Sequence, residues 1–307
     1  MFAHGWWTKD GEKMSKSLGN VLDPFQLLQQ YGLDYFRYFL CTEIQFGNDG
    51  DFSHDAFCTR INSDLANDLG NLLQRAMVMI DKHCDQTIPA PSHLMGEDEA
   101  LLEATRAAKL HIMAELDRLN MKTVAEHAIY VAKLGNKYID TQAPWKLVKQ
   151  GDVDRLRTVL FVLAELLRIS AIYLEPIMPT SCAKLLDQLG VPAEFRTFAS
   201  VDQSMPSGSR IMSPQPLFPR IETGKVRADP QESKSASDKK SSASNKAIVE
   251  AAELSRIEAK FGMITCSMQL DQQIKEVGDQ IRVLKAEKAD KKTLQPLVSE
   301  LSYLKSR

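Results

Sequence analysis

No run of about 18 apolar residues occurs in the chain, so no helical membrane span is predicted. The first residues also lack the basic, apolar and small-residue succession of a signal peptide. Five cysteines (Cys41, Cys58, Cys84, Cys182 and Cys266) include no CxxC pair, which argues against both a zinc knuckle and a disulfide framework. A soluble, cytoplasmic protein without protein-bound zinc is the expectation. Calcium is disfavoured on similar grounds. The stretch Phe46-Gly47-Asn48-Asp49-Gly50-Asp51-Phe52 has an Asp-x-Asp look, but the spacing and terminal glutamate of an EF-hand are missing, and its glycines predict a loop. Large apolar side chains are almost absent from residues 224–246, which are dominated by Lys, Ser, Ala and Asp. Such a stretch cannot bury enough surface to offset its ordering entropy, so residues 223–246 are predicted to be a disordered linker.

The remaining composition is that of an ordinary globular chain. With 307 residues, 44% hydrophobic and 25% charged, there is room for about two domains. The net charge of −2 divides unevenly: residues 225–307 hold 16 Lys/Arg and 12 Asp/Glu, leaving 22 and 28 in residues 1–224. An acidic body with a mildly basic tail does not announce a nucleic-acid binder. Any such function must rest on a local site.

One local site stands out. Lys13-Met14-Ser15-Lys16-Ser17 places two ammonium groups and two hydroxyls in a short turn framed by Gly11 and Gly19, a composition suited to a mobile loop that closes on phosphates. Met14 is the apolar candidate for its hinge. Phe2 to Thr8 reads as a strand, apolar enough to come from the middle of a sheet, which suggests a fragment of a longer protein. Asp23-Pro24 opens a helix, and a second follows from Asp34 to about Thr42.

From Ser53 onward the pattern is helical. Phe57, Ile61, Leu65, Leu69, Leu72 and Leu73 recur at spacings of three and four, predicting one helix to about His83. Thr87 to Ser92, with Pro89 and Pro91, is a connector. Further helices are expected over about Glu97–Asp117, Lys122–Asp140, Asp152–Ile172 and Pro179–Leu189, followed by a short apolar stretch at Pro214–Ile221. The fold class is therefore mainly α, a helical bundle. Past the linker, residues 247–259 suggest a helix. Leu270–Lys288 and Thr293–Lys305 suggest an antiparallel helical hairpin, its second helix limited by Pro296.

The pentapeptide at 13–17 resembles, letter for letter, the KMSKS signature of class I aminoacyl-tRNA synthetases. Its flanks, His4-Gly5-Trp6-Trp7-Thr8, Gly11-Glu12 and Leu18-Gly19-Asn20, resemble the methionyl-tRNA synthetase family, as do Asn71-Leu72-Leu73-Gln74-Arg75 and Gln142-Ala143-Pro144-Trp145-Lys146. The C-terminal hairpin resembles a WHEP domain through Arg282, Leu284-Lys285, Lys288-Ala289, Lys291, Leu301 and Leu304-Lys305. The resemblance implies a class I catalytic remnant over 1–45, a helical anticodon-binding domain over 46–222, the linker, and a WHEP-like hairpin with a preceding helix over 247–307.

For function, the resemblance implies ATP-dependent activation of methionine and its transfer to tRNA(Met). ATP, carrying Mg2+, would be held by Lys16 first and Lys13 second, with Ser15 and Ser17 shaping the loop. His4 lies on an apolar strand, where it is either a core histidine or a neighbour of the nucleotide. Asn71 and Arg75 project from one helix face and can hydrogen-bond a base or phosphate, although a plain polar face has the same spacing. Trp145 follows a proline at a helix start, where it serves either as packing or as a stacking platform for an unstacked anticodon base. Arg282, Lys285, Lys288 and Lys292 form the basic stripe of the hairpin, suited to RNA phosphates or to protein contacts such as a multi-synthetase complex. The HIGH signature of this enzyme class is absent from the 307 residues, so these residues alone are not expected to activate methionine. A non-catalytic tRNA-binding or scaffold protein is the alternative.

Overall fold

A computed structural model describes residues 5–222. His4, the linker at 223–246, the helix expected at 247–259, and the hairpin with Arg282, Lys285, Lys288 and Lys292 lie outside the described residues.

Three short strands form one small sheet, two of them at the start of the described chain and the third after the first two helices. Strands β1 (Trp7–Lys9) and β2 (Glu12–Lys13) form an antiparallel hairpin with Lys9 opposite Glu12. The two-residue turn Asp10-Gly11 has both φ angles positive, at 52° and 80°, the conformation that an Asp-Gly pair adopts in tight hairpins. The strand thus runs up to this turn and ends at Lys9, one residue beyond the expected Thr8. Strand β3 (Gly50–Phe52) pairs in parallel with β1, in the register Thr8 to Asp51. This corrects the sequence expectation of a loop across Phe46–Phe52 at its last three residues, while residues 46–49 are irregular as expected. The glycines and aspartates there suggest irregular backbone, yet Gly50 and Phe52 are buried while Asp51 is exposed, the alternation of a strand.

The described residues form nine α-helices, the first two between β2 and β3 and the rest after β3: α1 (Pro24–Tyr31), α2 (Leu33–Glu43), α3 (His54–Arg60), α4 (Asn71–His83), α5 (Gly96–Asp117), α6 (Met121–Gln142), α7 (Pro144–Gln150), α8 (Val153–Leu174) and α9 (Pro179–Gln188). The expected starts are made by the expected caps. Asp23 accepts from the Phe25 amide at 2.9 Å, and Ser53 accepts from the Ala56 amide at 3.1 Å. Between α3 and α4 the chain stays helical but widens into a π-helical stretch, Ile61–Gly70, where a uniform helix was expected. Its buried Ile61, Leu65 and Leu69 recur every four residues, a longer period than the α-helical 3.6. From α6, the Asn136 amide donates to the Asp68 carbonyl at 2.8 Å, satisfying an acceptor in this stretch.

Helix α8 is buried over nearly its whole length and packs on α4, α5, α6, α7 and α9, so it is the axis of the bundle. Helix α2 joins the sheet end of the chain to this bundle. Arg37 donates to the carbonyls of Pro176 and Ile177, both at 2.8 Å, and the buried Asp34 carboxylate accepts from the Ser181 amide at 2.5 Å. Ser181 lies in the first turn of α9, whose own Met178 offers no side-chain cap, so Asp34 supplies that cap from a different helix.

Two buried charge clusters fasten the bundle. In one, Asp98 is fully buried and receives Arg155 at 2.5 and 3.0 Å and the Tyr138 hydroxyl at 2.5 Å, while Arg155 also donates to Gln142 at 2.7 Å. Burial works against the Asp98 charge, but the bonds from Arg155, Tyr138 and the Met95 amide outweigh it and hold the carboxyl below its usual value. Burial and the neighbouring Asp98 carboxylate push the Tyr138 hydroxyl up, so it stays protonated and donating. A lowered folded-state pKa stabilises the fold above the unfolded value of about 4 and loses that contribution as pH falls through the folded value. Urea midpoints are therefore expected to drop more steeply between about pH 5 and about pH 3 in the parent than in Asp98→Asn. Equal slopes would remove Asp98 from the acid response.

Candidate functional site

The lysine-serine loop is built on the β1–β2 hairpin and closes through its own backbone. After Lys13 ends β2, the chain passes Met14 and makes a single 3-10 turn, Lys16–Leu18, ending at Gly19 with φ 65°. Gly11 and Gly19 thus both occupy left-handed conformations at the two ends of the loop, as the framing glycines predict. The Leu18 amide bonds to the Ser15 carbonyl at 3.2 Å, and the Ser15 and Ser17 hydroxyls meet at 2.8 Å. The two serines therefore contact each other, and the lysines are left to face outward. Lys13 and Lys16 are exposed, and neither makes an ion pair among the described residues. The Lys13 ammonium lies 6.0 Å from the centroid of the exposed Trp6 ring.

Three polar side chains outside the pentapeptide hold this arm. Asp51, on β3, accepts from the Thr8 hydroxyl at 2.6 Å and from the Gly11 amide at 2.8 Å. Asp49 accepts from the Trp6 amide at 2.7 Å. Asn20 accepts from the Ser15 amide at 2.7 Å and donates to the Lys13 carbonyl at 3.2 Å. None of the three is a candidate site residue by sequence. Asp49 and Asp51 lie some forty residues from their partners, so no local pattern reveals them. Asn20 had a signal, being a short amide in a Gly-Asn pair just past the loop, a residue type that commonly bonds nearby backbone.

A second cluster forms where α6 gives way to α7 with no loop between them. Ala143 makes the joint alone, ending α6 and starting α7 at φ 44° and ψ 61°. A non-glycine residue in this left-handed region is held there by its surroundings, and Ala143 is buried. Pro144 takes the first helical position, which sends Trp145 outward at 40% exposure. From the facing helix α4, the Arg75 guanidinium lies 5.5 Å from the centroid of the Trp145 ring. The same guanidinium donates to Asp140 on α6 at 2.6 Å. Asn71 stands one turn before Arg75 on α4, exposed, directly after the π-helical stretch. The fold thus joins Arg75 to Trp145, seventy positions along the chain, and adds Asp140, which sequence reasoning did not single out.

Chemically, the two clusters differ. The loop offers exposed ammonium groups on a turn whose shape is set from outside, which suits a polyanion. The helical corner offers an indole face, a guanidinium fixed in orientation by a carboxylate, and a free amide one turn away. That combination can stack an unpaired base and hydrogen-bond its edges. Among the described residues no group of three or more His, Cys, Asp or Glu is arranged to hold a metal ion.

Comparison with known proteins extends over most of the described chain. Residues 1–77 match a family described as tRNA synthetases class I (M), and residues 88–237 match the anticodon binding domain of methionyl tRNA ligase. The methionine–tRNA ligase of Brucella suis biovar 1 is 45% identical over 232 residues, which are 75% of this chain and 44% of that protein. That of Rhizobium meliloti is 44% identical over 222 residues, or 72% of this chain and 43% of the relative. The structure of Mycobacterium tuberculosis methionyl-tRNA synthetase in complex with methionyl-adenylate superposes with a TM-score of 0.68 at 41% identity, covering 71% of this chain and 43% of that one. The chain therefore spans less than half the length of these relatives.

Proposed function

We propose, from the family matches over residues 1–77 and 88–237, that the chain belongs to the methionyl-tRNA synthetase family and serves ATP-dependent joining of methionine to tRNA(Met). In this reading Lys16 and Lys13 meet the phosphates of Mg2+-bearing ATP, while Asn71, Arg75 and Trp145 receive the anticodon. Negative charge builds on the departing pyrophosphate as the methionine carboxylate attacks the α-phosphorus. Ammonium groups held against it stabilise that state in a partly dehydrated site. Ser15 and Ser17 shape the turn, and His4 is assigned as a further ATP contact. The methionyl group then passes from the adenylate to the 3′-terminal ribose of the tRNA.

The corresponding domain plan is a catalytic remnant over 1–45, an anticodon-binding bundle over 46–222, a linker over 223–246 and a WHEP-like hairpin within 247–307. The basic face of that hairpin, Arg282, Lys285, Lys288 and Lys292, is assigned to RNA phosphates or to partner proteins of a synthetase assembly in the cytoplasm. Because the 307 residues contain no HIGH signature, their own share of the reaction is phosphate contact and tRNA reading, not methionine activation unaided.

The observation that carries this reading is the Arg75–Trp145 contact at 5.5 Å beside the exposed Asn71. Binding of a tRNA bearing the CAU anticodon by the 307-residue chain is expected to exceed binding of the same tRNA with a changed anticodon by at least about tenfold at equal salt, the scale of one lost hydrogen bond between a base edge and a charged group. Equal affinity for both would overturn it.

A further inference from the structure

We propose that Asn20 is a positioning residue that sets the two ammonium groups of the loop for a phosphate chain, an inference that rests on the reading of Lys13 and Lys16 as ATP contacts. Two bonds carry it. The Asn20 side chain accepts from the Ser15 amide at 2.7 Å and donates to the Lys13 carbonyl at 3.2 Å, so a single amide grips the backbone on both sides of Met14. Lys13 is the last residue of β2 and is tied to the sheet by its pairing with Thr8. Lys16 begins the 3-10 turn, and its carbonyl accepts from the Gly19 amide at 3.3 Å. Between these two anchored parts, Met14 is crossed among the described residues by no other side-chain bond than those of Asn20. The relative placement of the two lysine backbones, from which the ammonium groups project, is therefore held across Met14 by this amide.

The geometry also explains why an amide is suited to the place. A carboxylate could accept from Ser15 but could not donate to Lys13, and it would put an anion beside a phosphate site. A lysine or hydroxyl cannot make both bonds from that distance. Fixing the backbone beforehand leaves less freedom to lose when a polyanion binds, which is how a residue that does not touch the ligand raises affinity.

The test uses the 307-residue chain with inorganic tripolyphosphate as the probe. In Asn20→Ala, exchange of the Ser15 amide proton is expected to accelerate about tenfold, the scale of a lost backbone bond in an otherwise folded region. Asn20→Asp, which keeps the acceptor, is expected to retain most of that protection. Tripolyphosphate affinity, followed through the Lys16 amide resonance, is expected to fall about fivefold or more in Asn20→Ala with the thermal midpoint unchanged. A purely structural role would move the midpoint and leave the affinity ratio alone. Unchanged Ser15 exchange, or equal tripolyphosphate affinity in parent and Asn20→Ala, overturns the inference while leaving the ATP reading standing. Failure of the parent itself to bind tripolyphosphate overturns both, and is told apart because it shows before any substitution is made.

Discussion

Arg168→Ala is expected to lower the unfolding free energy by about 3–5 kcal/mol, the cost of leaving a buried charge without its partner. Arg168 and Glu165 are both fully buried, joined at 2.8 Å on the core-facing helix α8. The guanidinium also donates to the carbonyls of Phe195 at 2.9 Å, Ser200 at 3.3 Å and Gln203 at 2.7 Å. Glu165 in turn accepts from the Met205 amide. This pair therefore ties the segment from Phe195 to Met205, which has little regular structure of its own, to the bundle axis, beside the Tyr173–Phe198 ring contact from the same helix. Removing the guanidinium leaves the Glu165 carboxylate buried without its counter-charge and takes a donor from three carbonyls at once. Chemical denaturation of the parent and the variant measures the loss, and a difference below about 1 kcal/mol would show that water or rearrangement satisfies these groups. Arg168→Met paired with Glu165→Leu is expected to lose less than Arg168→Ala alone, because no unpaired charge remains.

Trp145→Ala is expected to weaken binding of a CAU-bearing tRNA by about 1–3 kcal/mol, or about 5- to 150-fold. The indole is exposed on one side and meets the Arg75 guanidinium on another, at the end of a helix pair that the Asp98, Tyr138, Gln142 and Arg155 network keeps in place. Stacking depends on contact area and not on charge, so the ratio of parent to variant affinity should hold as salt is raised. Substituting a phosphate-contacting lysine instead would flatten the salt dependence. Trp145→Phe keeps a flat ring and should recover much of the loss. In the alanine variant Arg75 retains its bond to Asp140 and loses the indole, so part of the effect comes from a guanidinium drawn away from the base. Equal binding by parent and Trp145→Ala would take the indole out of the RNA site.

The features that could be read from sequence share one property, that their causes are local. Asp23 and Ser53 cap helices from within three residues, and Gly11 and Gly19 frame a turn that only a few residues define. The 3–4 spacing of apolar residues places the helices because burial on one face is itself periodic. The features that escaped depend on partners far along the chain. Strand β3 exists because β1 accepts it, although its own glycines and aspartates favour irregular backbone. The π-helical widening at Ile61–Gly70 meets Asn136 from α6, nearly seventy residues away. Ala143 in a left-handed conformation carries no signal at all, since glycine or asparagine is the residue that would have announced it. The same division runs through the candidate site. The loop was legible as a string, whereas Asn20 and Asp51 as its holders, and Asp140 as the partner of Arg75, emerge only when the chain is folded.

The central claim is that the corner formed by Asn71, Arg75 and Trp145 reads the anticodon. A double-mutant cycle tests it most directly, pairing Trp145→Ala in the protein with a changed anticodon in the tRNA, all four affinities being measured at one salt concentration. The account predicts that the preference for CAU, at least about tenfold in the parent, shrinks to within about twofold in Trp145→Ala. A preference that survives the substitution undiminished would contradict it.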